Sequence, residues 1–286
     1  MAGSRSMTSV PRDRGFDWTN LGVRVVSGLV LAAGALWAVW AFSWPGFLWR
    51  LPFLVLVAGG GALLSLEWGG MAAPRKAWRV GAATAVSVIA VVILSFMGFF
   101  WEAWACVALG AIASATLAAR SGARIVDAAY GVLYIAPAGI VILWLRESPQ
   151  GAGWTIMLFA TTWAADIAAF VVGNVVKGPK LWPRFSPNKT WSGFVGGLAA
   201  AAAASVGVAM FMKLSLAGAA LIGLAGGLAT MAGDLWESVL KRRFGVKDSG
   251  DLIPGHGGLL DRVDGLMFAI MVFAGARLVV QFGWAH

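Results

Sequence analysis

Two polar islands interrupt an otherwise apolar chain, and both carry residue types that handle phosphate. Residues 238–265, SVLKRRFGVKDSGDLIPGHGGLLDRVDG, hold five basic side chains, four aspartates, six glycines and one of only two histidines. Just upstream, Asp234 and Glu237 lie one helical turn apart, and Lys241 continues that face at i+7. Asp261 and Asp264 form a second i,i+3 pair. Carboxylates at one depth on neighbouring helix ends repel unless a cation or a basic group lies between them. Oxygen donors of this kind suit Mg²⁺, which commonly takes one or two carboxylates and shares substrate phosphates. The alternative for each pair is solvated charge at a helix end.

Between the pairs, Gly250, Gly255, Gly257 and Gly258 let the backbone approach a ligand, and their amides suit phosphate oxygens. Lys241, Arg242, Arg243, Lys247 and Arg262 supply positive charge. The spacing is not that of a GxxxxGK[ST] loop. His256 is either a phosphate-orienting acid or a structural histidine, and two histidines in all argue against a histidine-rich zinc site. The other island, 176–190, ends in Ser186, Pro187, Asn188, Lys189 and Thr190 before an apolar run. Hydroxyl, amide and ammonium groups there suit an anion at a helix N-terminus, or simply a helix cap. Asp166 lies inside an apolar run, where a carboxylate costs about 2.5–3.5 kcal/mol, so it should face the bundle interior or a wet cavity.

The elements that position these residues are membrane spans. The chain is 59% hydrophobic with a mean hydropathy of +0.80, well above soluble domains. Nine apolar runs, near 21–42, 47–67, 79–98, 99–118, 127–146, 154–175, 191–212, 214–236 and 265–284, each suffice to cross a bilayer. The expected fold is an all-α polytopic membrane bundle with a cytoplasmic N-terminus. That orientation puts 18 of the 22 lysines and arginines inside and only Arg50, Arg146 and Lys213 outside, with Arg277 within the last span. Both polar islands then share the cytoplasmic face. The formal charge of +9 reflects this asymmetry and not nucleic-acid binding. The first run, preceded by about 20 polar residues, suits a span better than a signal peptide. Tryptophans near the span ends, Trp154 among them, read as an aromatic belt, and Gly193/Gly197 and Gly223/Gly227 as close helix contacts. The lone Cys106 reads as a small core residue. Acids for a cation, bases for phosphates and glycines for close approach, gathered at a membrane surface, point to a soluble polyphosphate meeting a lipid phosphate. The residues do not by themselves choose the nucleotide or the reaction.

The segment resembles the signature of the phosphatidate cytidylyltransferases (CDP-diacylglycerol synthases). It stands here as Ser238, Leu240, Lys241-Arg242, Lys247-Asp248, Gly250, Ile253-Pro254, His256-Gly257-Gly258 and Asp261-Arg262-Val263-Asp264. SPNKTWSG resembles that family's Ser-Pro-x-Lys-Thr segment, with Ser192 where many members carry glutamate. ADIAAFVVG resembles its intramembrane aspartate segment, with Phe170 where a tyrosine often stands. The resemblance is strong over roughly 160–265; the N-terminal 150 residues match in hydropathy.

The resemblance implies that CTP and phosphatidic acid give CDP-diacylglycerol and pyrophosphate, with Mg²⁺ and the option of a second cation. Asp234 and Asp261 would be the first metal ligands, then Asp264, with Asp166 behind them on the substrate side. Lys241, Arg262 and His256 would join the aspartates in catalysis. Ser186, Asn188, Lys189, Thr190, Arg242, Lys247, Asp248, Gly257 and Gly258 would contact substrate. It further implies a tail 1–20, a lipid-holding and dimer-forming region 21–150 and a catalytic region 151–286. The protein would be a homodimer in a bacterial-type cytoplasmic membrane, its site facing the cytoplasm. A CTP-dependent polyprenol or phytol-type kinase shares an acidic, glycine-rich membrane site but not the full Lys-Asp…His-Gly-Gly…Asp-Arg-x-Asp run. The pattern of a CDP-alcohol phosphotransferase is absent. An ion-coupled transporter would use Asp166, but the polar cluster lies at one surface and no inverted repeat is evident.

Overall fold

The structure is a computed structural model that describes residues 18–183, 185–212, 214–250 and 257–283, with side chains from Val26 onward. Long apolar stretches satisfy their backbone groups as helices, the one solution open to a single segment in lipid. These are α1 (Trp18–Ala41), α2 (Leu51–Ala72), α3 (Ala77–Phe96), α4 (Phe100–Ser121), α5 (Ile125–Glu147), α6 (Gly151–Val175), α7 (Trp191–Met212), α8 (Leu216–Phe244) and α9 (Leu260–Phe282). Among the described residues, eight helices are long and apolar enough to cross a membrane, and Val26–Ala41 forms a shorter apolar one. The chain is an integral membrane protein, and the nine apolar runs correspond one to one with the nine helices.

The core is apolar and runs through both halves, with Phe53, Trp68, Leu143, Trp154 and Phe273 sealed from solvent. Trp154 therefore departs from the aromatic-belt expectation: it packs inward, with the Arg277 guanidinium 6.0 Å from its ring centroid. Small residues bring α6, α7 and α8 together as expected. A Cβ on Gly197 would lie 2.9 Å from the Ala165 carbonyl, and one on Gly223 2.7 Å from that of Ala201.

Two boundaries differ from the sequence expectation. Helix α8 does not stop at 236 but runs two turns further, to Phe244, where Gly245 (φ 74°) ends it in a left-handed cap. The helix needs backbone hydrogen bonds, not apolar side chains, so it carries Glu237, Lys241, Arg242 and Arg243 past the apolar run. Segment 176–190 is not an irregular loop. It contains an antiparallel hairpin, β1 (Lys180–Trp182) with β2 (Ser186–Thr190), pairing Lys180 with Thr190 and Trp182 with Ser186.

Candidate active site

The end of α8, the start of α9, the hairpin and α6 converge on a group of carboxylates. Asp234 on α8 receives the Lys189 ammonium from β2, Nζ to Oδ2 at 2.5 Å. Asp264 on α9 is 6% exposed and within hydrogen-bonding reach of Asp234. Its Oδ1 accepts the Gly265 amide at 2.7 Å. The charged neighbours of Asp166 on α6 are Asp234, Lys189 and Arg262. The mid-span aspartate thus faces the polar cluster.

Two glycines set the spacing of this group. A Cβ on Gly233 would stand 2.4 Å from the Asp264 carbonyl oxygen and 2.9 Å from Gly265 Cα. One on Gly265 would stand 2.8 Å from the Thr230 carbonyl oxygen. Backbones of α8 and α9 therefore touch where neighbouring Asp234 and Asp264 extend.

A second group lies one turn further along α8. Lys241 Nζ sits 2.7 Å from Glu237 Oε2 and 2.7 Å from Asp261 Oδ1. Asp261 Oδ2 accepts the backbone amides of Ser249 and Gly258, each at 3.2 Å. Asp261 thus pins the loop after α8 to the start of α9, and its two oxygens are engaged within the protein. Glu237 is 2% exposed, and its other oxygen has no partner among the described residues.

Sequence reasoning missed Glu67, on α2. Buried at 5% exposure, its carboxylate accepts the amides of Leu259 (2.7 Å) and Leu260 (2.8 Å) and the Ser249 hydroxyl (3.2 Å). An anion at a helix N-terminus meets free N–H groups and the positive end of the helix dipole. Gly258 has no room for a side chain: a Cβ would fall 1.9 Å from Ser249 Oγ and 3.0 Å from Glu67 Oε2. Asp127, at the start of α5, pairs in turn with Arg243 at the end of α8. The Trp68 indole donates to the Asp127 carbonyl at 2.8 Å. One weak signal could have found Glu67 and Asp127: each is a lone acid within or at the edge of an apolar run.

Other predicted residues have varied fates. Thr190 is buried and its hydroxyl accepts the Gly193 amide at 3.1 Å, the cap reading of that segment. Ser186 is half-buried at the start of β2, and Asn188 is exposed, its carbonyl 3.5 Å from Lys180 Nζ. Arg242, Lys247 and Asp248 are exposed outside the carboxylate group, with Arg242 reaching the Val246 carbonyl at 3.4 Å. Gly257 takes a positive φ of 82°, while the Gly258 amide is already committed to Asp261. His256 and Gly255 lie outside the described residues.

The donor chemistry can be compared with a divalent cation. Among the described residues, no group of three or more acids, histidines or cysteines is arranged to hold a metal. Asp261 is occupied by Lys241 and two amides, whereas Asp234 and Asp264 meet beside a single ammonium. Two carboxylates with the remainder of the shell left to phosphate and water is a donor set that fits Mg²⁺.

The family model described as "Cytidylyltransferase family" matches residues 22–279. The phosphatidate cytidylyltransferase of Brucella suis biovar 1 is 36% identical over 276 residues, which is 93% of this chain and 94% of that protein. That of Brucella abortus biovar 1 is 35% identical over the same shares. The Staphylococcus saprophyticus protein of that name is 38% identical over 160 residues, 55% of this chain and 62% of its own. Similarity thus extends well beyond 160–265 into the helices that carry Glu67 and Asp127. The chain belongs to the cytidylyltransferase family.

Proposed function

We propose that the chain transfers CMP from CTP to phosphatidic acid, giving CDP-diacylglycerol and pyrophosphate. The observation that carries the reading is the meeting of Lys189, Asp234 and Asp264 from three separate elements at one end of a membrane bundle. Relatives named for this reaction match along 93% of the chain.

In this reaction a phosphatidate oxygen forms a bond to the α-phosphorus of CTP, and the bond to the bridging oxygen breaks to release pyrophosphate. No covalent enzyme intermediate is required, so the protein contributes position and charge. Lys189 presents its ammonium from the hairpin and meets substrate phosphate beside Asp234. Arg262, exposed on the first turn of α9, adds a cation on the same side. Asp261 and Glu237 fix Lys241, and Asp261 holds the backbone of the glycine loop. Asp234 and Asp264 would hold Mg²⁺. When bound, Mg²⁺ supplies neutralisation of charge on the phosphate oxygens.

The same reading carries a homodimer in a bacterial cytoplasmic membrane, with the site on the cytoplasmic side. The lysine and arginine asymmetry supports that orientation. Purified protein in detergent micelles should release pyrophosphate only when CTP, Mg²⁺ and phosphatidate are all supplied, with a CDP-lipid as the other product. Formation of CDP with a prenol, and none of these products with phosphatidate, would replace the reading with a lipid kinase.

A further inference from the structure

At the opposite end of the bundle from the carboxylates lies an open cavity of about 620 Å³. Helix α5 connects the two ends, with Asp127 paired to Arg243 at the site end and Arg146 and Glu147 in the cavity wall. Arg50, from the turn before α2, faces them, and Phe42 and Ser43 follow α1.

The charge in this cavity is unbalanced. Arg146 is 6% exposed and anchored through Nε and Nη2 to the Val39 carbonyl, at 3.0 and 2.6 Å, and through Nη2 to Ser43 Oγ. Arg50 pairs with Glu147. Both guanidinium carbons stand 4.6 Å from the centroid of the same Phe42 ring. Two cations are thus held against one ring with one carboxylate between them. Gln150 and Gly151 line the cavity at the N-terminus of α6, and the Gln150 side chain makes no cap. That positive helix end is opposed by the carbonyl ends of α1, α3 and α5, which reach the same cavity, and the Gly151 amide already donates to the Ser148 carbonyl at 2.8 Å, so the excess positive charge is that of the two arginines.

Bringing like charges together in a partly buried site costs free energy unless an anion offsets it. Arginine forks match the tetrahedral oxygens of phosphate through paired hydrogen bonds. We infer that this cavity binds one phosphate oxyanion, either a phospholipid headgroup of the leaflet opposite the catalytic one or free phosphate. Its wall supplies the two cations and the Ser43 hydroxyl. The inference is independent of the reaction run at the other end.

Native mass spectrometry of the purified full chain tests it, with titration by phosphatidylglycerol, zwitterionic phosphatidylcholine or inorganic phosphate. Arg50→Gln should weaken phosphatidylglycerol binding at one site at least tenfold and leave CMP transfer unchanged. Glu147→Gln removes the competing carboxylate and should tighten it several-fold. These opposite signs separate a built anion site from general loss of packing. Competition by millimolar inorganic phosphate would identify free phosphate as the natural ligand, and its absence a lipid headgroup. Equal phosphatidylglycerol and phosphate binding by the wild type and both variants, or weakening by Glu147→Gln, would overturn the inference.

Discussion

Asp261 commits one oxygen to Lys241 and the other to two backbone amides. Its role is therefore to hold an ammonium and a loop in place for the carboxylates nearby. Asp261→Asn puts an amide N–H against either the ammonium or the two backbone N–H groups, and one contact turns repulsive. CMP transfer should fall about 10²- to 10³-fold, in the range for loss of a positioned electrostatic group, while the protein still inserts and purifies as a folded species. Steady-state kinetics at saturating Mg²⁺ would check this; full turnover by the variant would remove Asp261 from the machinery. The acidic pairs were readable from sequence because charge is conspicuous in an apolar chain. Which acid touches which base was not readable. Asp261 and Asp264 have identical spacing cues, and only the rotation of α9 sends one to Lys241 and the other to Asp234.

Helices α8 and α9 meet backbone to backbone because neither Gly233 nor Gly265 carries a side chain at the crossing. Gly233→Ala places a methyl 2.4 Å from the Asp264 carbonyl oxygen, and a backbone contact cannot swing aside as a flexible side chain would. The helices must separate, which pulls Asp234 from Asp264. The variant should lose about 1–3 kcal/mol of stability, as overpacked sites do. Thermal unfolding in detergent measures that loss, and activity should fall more than stability alone explains. A variant with wild-type unfolding and turnover would show that the crossing does not set the site. The helices themselves were legible from apolar run lengths. The two extra turns of α8 were not, because charged residues end an apolar pattern without ending a helix. The hairpin at 180–190 was hidden for another reason: strands of three and five residues containing Pro187 give no alternation to detect.

Across the whole molecule, the signature loop is held by a helix almost two hundred positions earlier in the chain. Glu67 receives Leu259, Leu260 and Ser249 in a buried pocket, and Asp127 takes Arg243. The N-terminal helices are therefore part of the site's support. Glu67→Gln keeps the shape but turns one acceptor into a donor facing an N–H group. One buried amide is left unsatisfied, at about 1–3 kcal/mol, and the helix-end charge is lost. The unfolding temperature should drop, and turnover should drop with it as the loop loosens. An unchanged unfolding temperature would mean that Asp261 alone secures the loop. Sequence reading could not reach this tie, since a single glutamate closing an apolar run looks like a span boundary and its main partners are backbone amides, which have no sequence signature.

A grip on main-chain atoms also governs how the family drifts. A carboxylate that grips main-chain amides is indifferent to the side chains those residues carry. Across an alignment of relatives, position 67 should therefore hold its acid while position 259, partly buried against the core, varies among apolar residue types. Covariation methods would find no coupled pair there, although the two positions are bonded at 2.7 Å.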